Sequence, residues 1–491
     1  MGAKLVLPWE LGMNTENAAG DPRRWLALPV LLTGAFLPPL DFFIVNVALP
    51  SIRAALHSSA AQLQFVISAY AATYAVFLIT GGRLGDLYGR RRMFLLGIGG
   101  FTLASLLCGL AWSSAALLAG RMLQGMAAAA LAPQVLASIR VMFPHSEQPR
   151  ALGLYSATFG IAATLGALLG GSLVSSHLWG MGWQLIFLVN LPVGGAALVA
   201  GFVLLRESRA EHAHRLDLGG VVLLSVALAL LVYPLVEGRE QGWPAWTYAM
   251  LAGSLAMFIV FVRFEARMAR NGGSPLIDVR LFGEGDFSLG MLAALGIYLT
   301  SSFFLTYAVY LQSGLQHSAL QAGLATVPFT IGYFCGSMLA SRLIDTLGRR
   351  ALPLACACQA FGFGILITTV LHVLPQAALV SGLAVAGFGF GVAMPALIRA
   401  VISGVETRHA GLASGMVITA LQISAALGVA IIGGVFYTVL HGQTGAKAYD
   451  HAFATGLSCN MAALMVVALL SLGIGRIKRS SANTVAVAAI D

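Results

Sequence analysis

Fourteen stretches of about 20 mostly apolar residues follow one another along this chain, and a stretch of that length and composition crosses a bilayer as an α-helix. They run over about 25–50, 62–82, 93–111, 114–139, 151–175, 184–205, 217–236, 245–262, 287–311, 321–341, 351–372, 376–398, 412–440 and 451–475. In lipid every backbone N–H and C=O must be satisfied within its own segment, so such a chain folds as a helix bundle. Of its 491 residues 58% are hydrophobic and 10% charged, against roughly 25% charged in soluble domains. No large soluble domain fits, and the formal charge of +9 on so apolar a chain does not mark a nucleic-acid binder.

The positive charges orient the spans. Cytoplasmic loops are enriched in Lys and Arg. With the N-terminus placed in the cytoplasm, 24 of the 28 fall in cytoplasmic segments, three (Arg53, Arg239, Lys447) in outside loops, and one, Arg121, inside span 4. An even span count puts both termini on the cytoplasmic side of a multi-pass membrane protein, which places the chain in the cytoplasmic (inner) membrane. The organisation expected is a cytoplasmic tail (1–24), a six-helix half (25–206), two inserted helices with a cytoplasmic loop (207–286), a second six-helix half (287–475) and a cytoplasmic tail (476–491).

An internal repeat underlies the two halves. Gly82-Arg83-Leu84-Gly85-Asp86-Leu87-Tyr88-Gly89-Arg90-Arg91 after span 2 matches Ser341-Arg342-Leu343-Ile344-Asp345-Thr346-Leu347-Gly348-Arg349-Arg350 after span 10, at an offset of 259 residues. Ile139-Arg140 and Glu147 find Ile398-Arg399 and Glu406 at the same offset. Transporters often show such repeats, with the substrate site near the midplane between them.

These motifs, in order, resemble the major facilitator superfamily, and within it the fourteen-span drug:H⁺ antiporter-2 family of the EmrB/QacA type. Leu40-Asp41 through Asn46 to Pro50 resembles its span 1 motif, Gly81–Arg92 its loop motif, and Arg121-Met122-Leu123-Gln124-Gly125 its span 4 motif. Pro275 to Phe282, Tyr310-Leu311-Gln312 and Gln321-Ala322-Gly323 resemble the fourteen-span branch. Ala163 and Ala167 stand where that family carries prolines, and Gln184 where it carries an arginine. The resemblance implies an all-α major facilitator fold with two pseudo-symmetric six-helix halves plus two inserted helices.

Asp41 and Arg121 are the charges well inside spans. At a rise of 1.5 Å per residue they lie at about 13 and 10 Å depth, near enough for contact. Ionisable groups in a bilayer cost several kcal/mol and persist when paired or when transport uses them. Burial and a neighbouring guanidinium act on a carboxyl in opposite directions, and arginine stays charged. Asp41 therefore suits a proton carrier with Arg121 as its electrostatic partner, and the resemblance implies the same proton-coupling roles. A structural ion pair between spans 1 and 4, or a direct substrate contact, are the other readings. Asn46, Tyr70, Gln124 and Gln134 are polar groups near these spans, either interhelical hydrogen bonds or lining of a substrate cavity. Phe303, Tyr307 and Tyr310 share a helix face, which either lines that cavity or packs.

Gly82, Gly85 and Gly89 let the chain turn between spans 2 and 3. The resemblance implies that Gly82, Asp86, Gly89 and Arg90 form a conformational latch to the other half, with Asp345 and Arg349 a weaker second copy; a basic loop that only orients the protein is the alternative. Gly160, Gly166, Gly170 and Gly171 on span 5 allow close helix approach.

Among the three lysines none sits in a Gly-rich phosphate loop, and no HExxH, GxSxG or metal spacing occurs, which argues against an ATP-driven pump in this chain alone and leaves no enzyme signature. The expectation is proton-coupled efflux of a small amphipathic molecule by alternating access. A proton-coupled solute importer and a non-transporting membrane sensor are the alternatives. No cofactor is expected beyond the proton as coupling ion, and no metal. The expected partners are the substrate and the lipid bilayer, with the protein a monomer and a periplasmic adaptor left open.

Overall fold

The computed structural model describes residues 22–144, 146–210, 216–371, 374–375, 377–402, 410–440, 443 and 445–474. The C-terminal tail, most of the N-terminal tail, Arg215, Glu406 and Arg408 lie outside the described residues. Among the described residues the chain is helical throughout, with no strand. Spans 1–5 are Arg24–Leu56, Ala60–Tyr88, Arg90–Gly109, Ser114–Met142 and Gln148–Ser176. Span 6 (Leu185–Leu204) breaks between Leu188 and Asn190. The inserted spans 7 and 8 are Leu218–Glu240 and Ala245–Arg270. Span 9 (Gly285–Gly314) is followed by spans 10–14 at Ala319–Leu347, Ala351–Val370, Ala378–Ile402, Ala410–Leu440 and Ala446–Gly473.

Length and hydropathy alone run 319–370 together as one stretch of 52 residues. A helix of that length would be about 78 Å long, far more than a bilayer's core of about 30 Å. Gly348, at φ +55°, breaks it, and spans 10 and 11 both pack along span 12. The described residues thus form fourteen spanning helices. Apolar side chains cover the outside, Leu96 and Val199 being 67% and 68% exposed, as expected where the neighbour is lipid.

The repeat is visible in local chemistry. Ser59 caps span 2 and Ser318 caps span 10, each in a reciprocal capping box, with Gln62 and Gln321 respectively. Both pairs sit at the 259-residue offset. The spans end on Gly89 and Gly348, both at positive φ, which an L side chain adopts at a cost. Gly82 and Gly85 are not turn residues, because span 2 stays helical through Tyr88. A Cβ on Gly85 would stand 1.9 Å from Gln134 Oε1, so that glycine serves the approach of span 4.

The four glycines of span 5 divide between two partners. Gly166 and Gly170 meet span 1, where a Cβ would lie 2.7 Å from Phe43 and 3.0 Å from the Ile44 carbonyl. Gly160 and Gly171 meet span 10 in the other half, at 2.9 Å from Phe334 and 2.6 Å from the Ala319 carbonyl. Span 5 is one continuous helix, as alanine at 163 and 167 allows.

Three contacts between the halves lie at the Arg-poor end of the bundle. Leu320 N donates to Ser175 Oγ at 3.2 Å, and Gln312 Nε2 donates to the Val47 carbonyl at 2.7 Å. Gln64 of span 2 is fully buried against Gly433 of span 13. Neither polar atom of its amide has a hydrogen-bond partner among the described residues. This seam is sealed. The inserted pair attaches to span 2 near both of its ends: Glu240 accepts the Ala61 N–H at 2.7 Å, and Arg83 reaches the Ser274 carbonyl at 2.8 Å.

Gly171→Val drives a side chain into the seam. The sealed state should lose about 1–3 kcal/mol, a roughly 5- to 150-fold shift toward opening. Disulfide cross-linking of Ser175→Cys with Leu320→Cys, with the native cysteines replaced, reads the shift as a lower yield. An unchanged yield would show that the seam is not close-packed there.

Candidate functional site

Span 1 carries four prolines, and Asp41 lies two residues beyond the Pro38-Pro39 pair. Each proline leaves the carbonyl four residues before it without an N–H, here those of Gly34 and Ala35 for the pair, and the Tyr70 hydroxyl donates to the Pro38 carbonyl at 3.4 Å. Asp41 itself is fully buried, as is Arg121 on span 4. The Arg121 Nη1 donates to Asp41 Oδ2.

Gln124, one turn beyond Arg121, completes the arrangement. Its Oε1 accepts from Arg121 Nη1 at 2.7 Å. Its Nε2 donates to Asp41 Oδ1 at 2.9 Å and to Ser105 Oγ of span 3 at 2.8 Å. The Arg121 Nε donates to the Val66 carbonyl at 3.0 Å. The guanidinium lies over the Tyr70 ring, 4.2 Å from its centroid, with the Phe187 ring at 6.0 Å. Asn190 Nδ2 of span 6 reaches Ser105 Oγ at 3.3 Å. Spans 1, 2, 3, 4 and 6 thus converge on one charge-neutral cluster inside the first half, with both carboxylate oxygens satisfied.

The other named residues separate from this cluster. Asn46 is turned away from Asp41 on span 1, bonding the Phe42 carbonyl at 2.6 Å. With Tyr307, Phe304 and Thr326 it borders a cavity on the seam between spans 1, 5, 9 and 10. That cavity is only about 10 Å³, room for about one water. Gln134 lies elsewhere, holding the Gly81 carbonyl at 2.8 Å. Phe303, Tyr307 and Tyr310 do share a face, but that face stacks on Phe453 of span 14 inside the second half, Tyr310 at 4.7 Å and Tyr307 at 5.5 Å. The ring that crosses the seam is Phe304, edge-on to Phe43 at 4.8 Å.

The loop motif touches its own half and the insertion. Arg90 donates to Asp86 at 3.0 Å. The Gly89 turn faces the Glu207 carboxylate, which accepts the Arg91 N–H at 3.1 Å at the positive end of span 3. In the second copy Asp345 pairs with Arg399 at 2.6 Å, while Arg349 donates to the Ile474 carbonyl at 2.7 Å. Asp86 and Asp345 each pair with an arginine of their own half.

Sequence reasoning missed Ser105, the Val66 carbonyl and four further buried acids, Asp217, Glu265, Asp278 and Asp450. Small hydroxyls are too frequent in apolar spans to stand out, and a backbone carbonyl leaves no sequence signal. Asp450 lies one turn into span 14 and is met by the Tyr310 hydroxyl at 3.1 Å.

A helical bundle of two repeated halves around a buried carboxylate–guanidinium pair defines a membrane transporter. The chain belongs to the Major Facilitator Superfamily, whose family model matches residues 31–277 and 287–486. It is a transporter and not an enzyme. It is 38% identical over 444 residues to the protein named Probable actinorhodin transporter of Streptomyces coelicolor, covering 89% of this chain and 77% of that protein. It is 36% identical over 458 residues to the cephamycin export protein of Amycolatopsis lactamdurans, covering 90% and 91%. It is 34% identical over 473 residues to the puromycin resistance protein of Streptomyces alboniger, covering 92% and 91%. Its fold matches that of a bacterial homologue of the human lysosomal transporter Spinster with a TM-score of 0.66, at 16% identity, over 93% of this chain and 98% of that one.

Asp41→Ala strands the Arg121 charge in a dry site and should lower stability by about 3–5 kcal/mol. The double substitution Asp41→Leu with Arg121→Met removes both charges and should recover most of that loss. Thermal unfolding in detergent measures both, and equal destabilisation of the two variants would contradict the pairing.

Proposed function

We propose that this chain is a fourteen-span drug:H⁺ antiporter that exports an amphipathic, antibiotic-like small molecule across the cytoplasmic membrane. The names of its relatives, two exporters or transporters of antibiotics and a resistance protein, support export as the direction. The observation that carries the mechanism is the set of partners around Arg121. When Asp41 takes a proton, the guanidinium keeps the Val66 carbonyl, the Gln124 oxygen and the Tyr70 ring. Protonation therefore removes the counter-charge and leaves the cation with these three partners. Arginine holds its own proton throughout, so the proton that moves belongs to Asp41.

The cycle follows from alternating access. Facing outward, Asp41 takes a proton and substrate leaves. Facing inward, Asp41 loses the proton and substrate binds. One charge moved through about 100 mV supplies about 2.3 kcal/mol, and each pH unit about 1.4 more. Span 1 links the two events, since Asp41 lies on one of its faces and the Asn46 cavity on another. In this reading the Arg-rich end and both termini are cytoplasmic, the coupling ion is the proton alone, no metal or other cofactor takes part, and the protein works as a monomer in the lipid bilayer. The sealed Arg-poor seam then faces outward.

Reconstitution in liposomes under a pH gradient tests this, with lumenal pH followed while a panel of lipophilic dyes is added. Wild type should exchange dye for protons, and Asp41→Asn should bind dye without moving protons. Proton exchange surviving in Asp41→Asn would place the proton site elsewhere. Dye and protons moving in the same direction would make the chain an importer.

A further inference from the structure

A second buried ionic cluster lies away from Asp41, at the Arg-rich end of the inserted pair. Asp217 caps span 7, its Oδ1 accepting the Gly220 N–H at 2.7 Å. Its Oδ2 accepts the Leu276 N–H at 3.0 Å. Glu265 of span 8 is fully buried and accepts the neighbouring Ile277 N–H through Oε2 at 2.9 Å. Two carboxyl groups thus hold successive amides of the segment 274–277. The carbonyls of Ser274 and Pro275 in the same segment receive Arg83, from the loop motif that ends span 2. The segment is a strap between the carboxyl pair and that motif.

The Glu265 Oε1 has no hydrogen-bond partner among the described residues. It points at Gly220, where a Cβ would stand 2.3 Å from Glu265 Oε1 and 2.5 Å from Asp217 Oδ2. Two carboxylate oxygens therefore converge on one point with no donor between them. Two carboxyl groups sharing a dry site do not both ionise. Arg83 from span 2 faces them, while Arg280 in the turn Val279–Gly283 is mostly exposed and held by Asp278 at 3.0 Å. One negative charge on the pair balances Arg83.

We propose that Asp217 and Glu265 bind one proton between them, forming a second protonation site in the inserted helices, and that losing this proton loosens the strap from Arg83. The shared proton is the missing donor. Without it the two carboxylates repel. The one that swings out drops the Leu276 or the Ile277 amide, and the Ser274 and Pro275 carbonyls shift off Arg83. The loop motif is then released at the Arg-rich face as pH rises there. This site does not depend on Asp41 or on the direction of transport.

Hydrogen exchange of the Leu276 and Ile277 amides tests it without any transport assay. In wild-type protein in nanodiscs, their protection, corrected for intrinsic base catalysis, should fall at least about tenfold between about pH 6 and about pH 9. The Arg91 amide, held by Glu207, should change little. Glu265→Gln keeps an acceptor for Ile277 and supplies a permanent donor toward Asp217, so its protection should stay flat. Wild-type protection that does not change with pH overturns the proposal, and so does an equal fall in Glu265→Gln. The wild-type arm alone decides should the variant fail to fold.

Discussion

A guanidinium that cannot give up its charge, placed in the apolar interior of the first half, is the constraint to which the surrounding spans answer. Arg121 brings together a carboxylate, an amide, a backbone carbonyl and an aromatic face from spans 1, 2 and 4. Span 3 adds Ser105 and span 6 adds Asn190. Each contact is modest by itself. Together they turn a costly ion into a neutral, hydrogen-bonded node that fixes how five helices of this half lie against one another.

The two halves share scaffold and not chemistry. The 259-residue offset that joins the capping boxes at Ser59 and Ser318 takes Asp41 to Thr300. Thr300 lies in the 3-10 turn Tyr298–Ser301 that interrupts span 9, with the Gln359 amide at 3.4 Å. No charge stands there. Caps and glycine turns are demands of the backbone and survive in both copies. The ion pair of Asp41 and Arg121 has no counterpart at the offset positions Thr300 and Val380. The second half fills the corresponding space with stacked rings around Phe303 and Phe453.

The architecture was legible in the sequence because span length and arginine placement follow from the bilayer itself. The pairing of Asp41 with Arg121 was legible for the same reason, since two charges at similar depth in lipid seek one another. Helical spacing put Phe303, Tyr307 and Tyr310 on one face, but it does not say whether a face turns to the seam or into its own half, and here the three rings stack with Phe453 while Tyr307 also borders the seam cavity. Gln134 was equally ambiguous, because a buried amide can serve a neighbouring helix or a ligand, and Gly81 and Gly85 bring span 2 close enough for the former. The roles of Glu265 and Asp217 were hidden because charges near span ends read as loop charges until the strap 274–277 is seen to fold over them.

The amide of Gln64 gives the sealed seam a particular thermodynamic character. A buried polar group left without partners costs about 1–3 kcal/mol, and Gln64 meets Gly433 in that condition. The cost disappears once the halves part and water wets the amide. Closure therefore works against a small restoring force built into its own interface. The closed seam is thus shallower, by about that amount, than its apolar packing alone would make it.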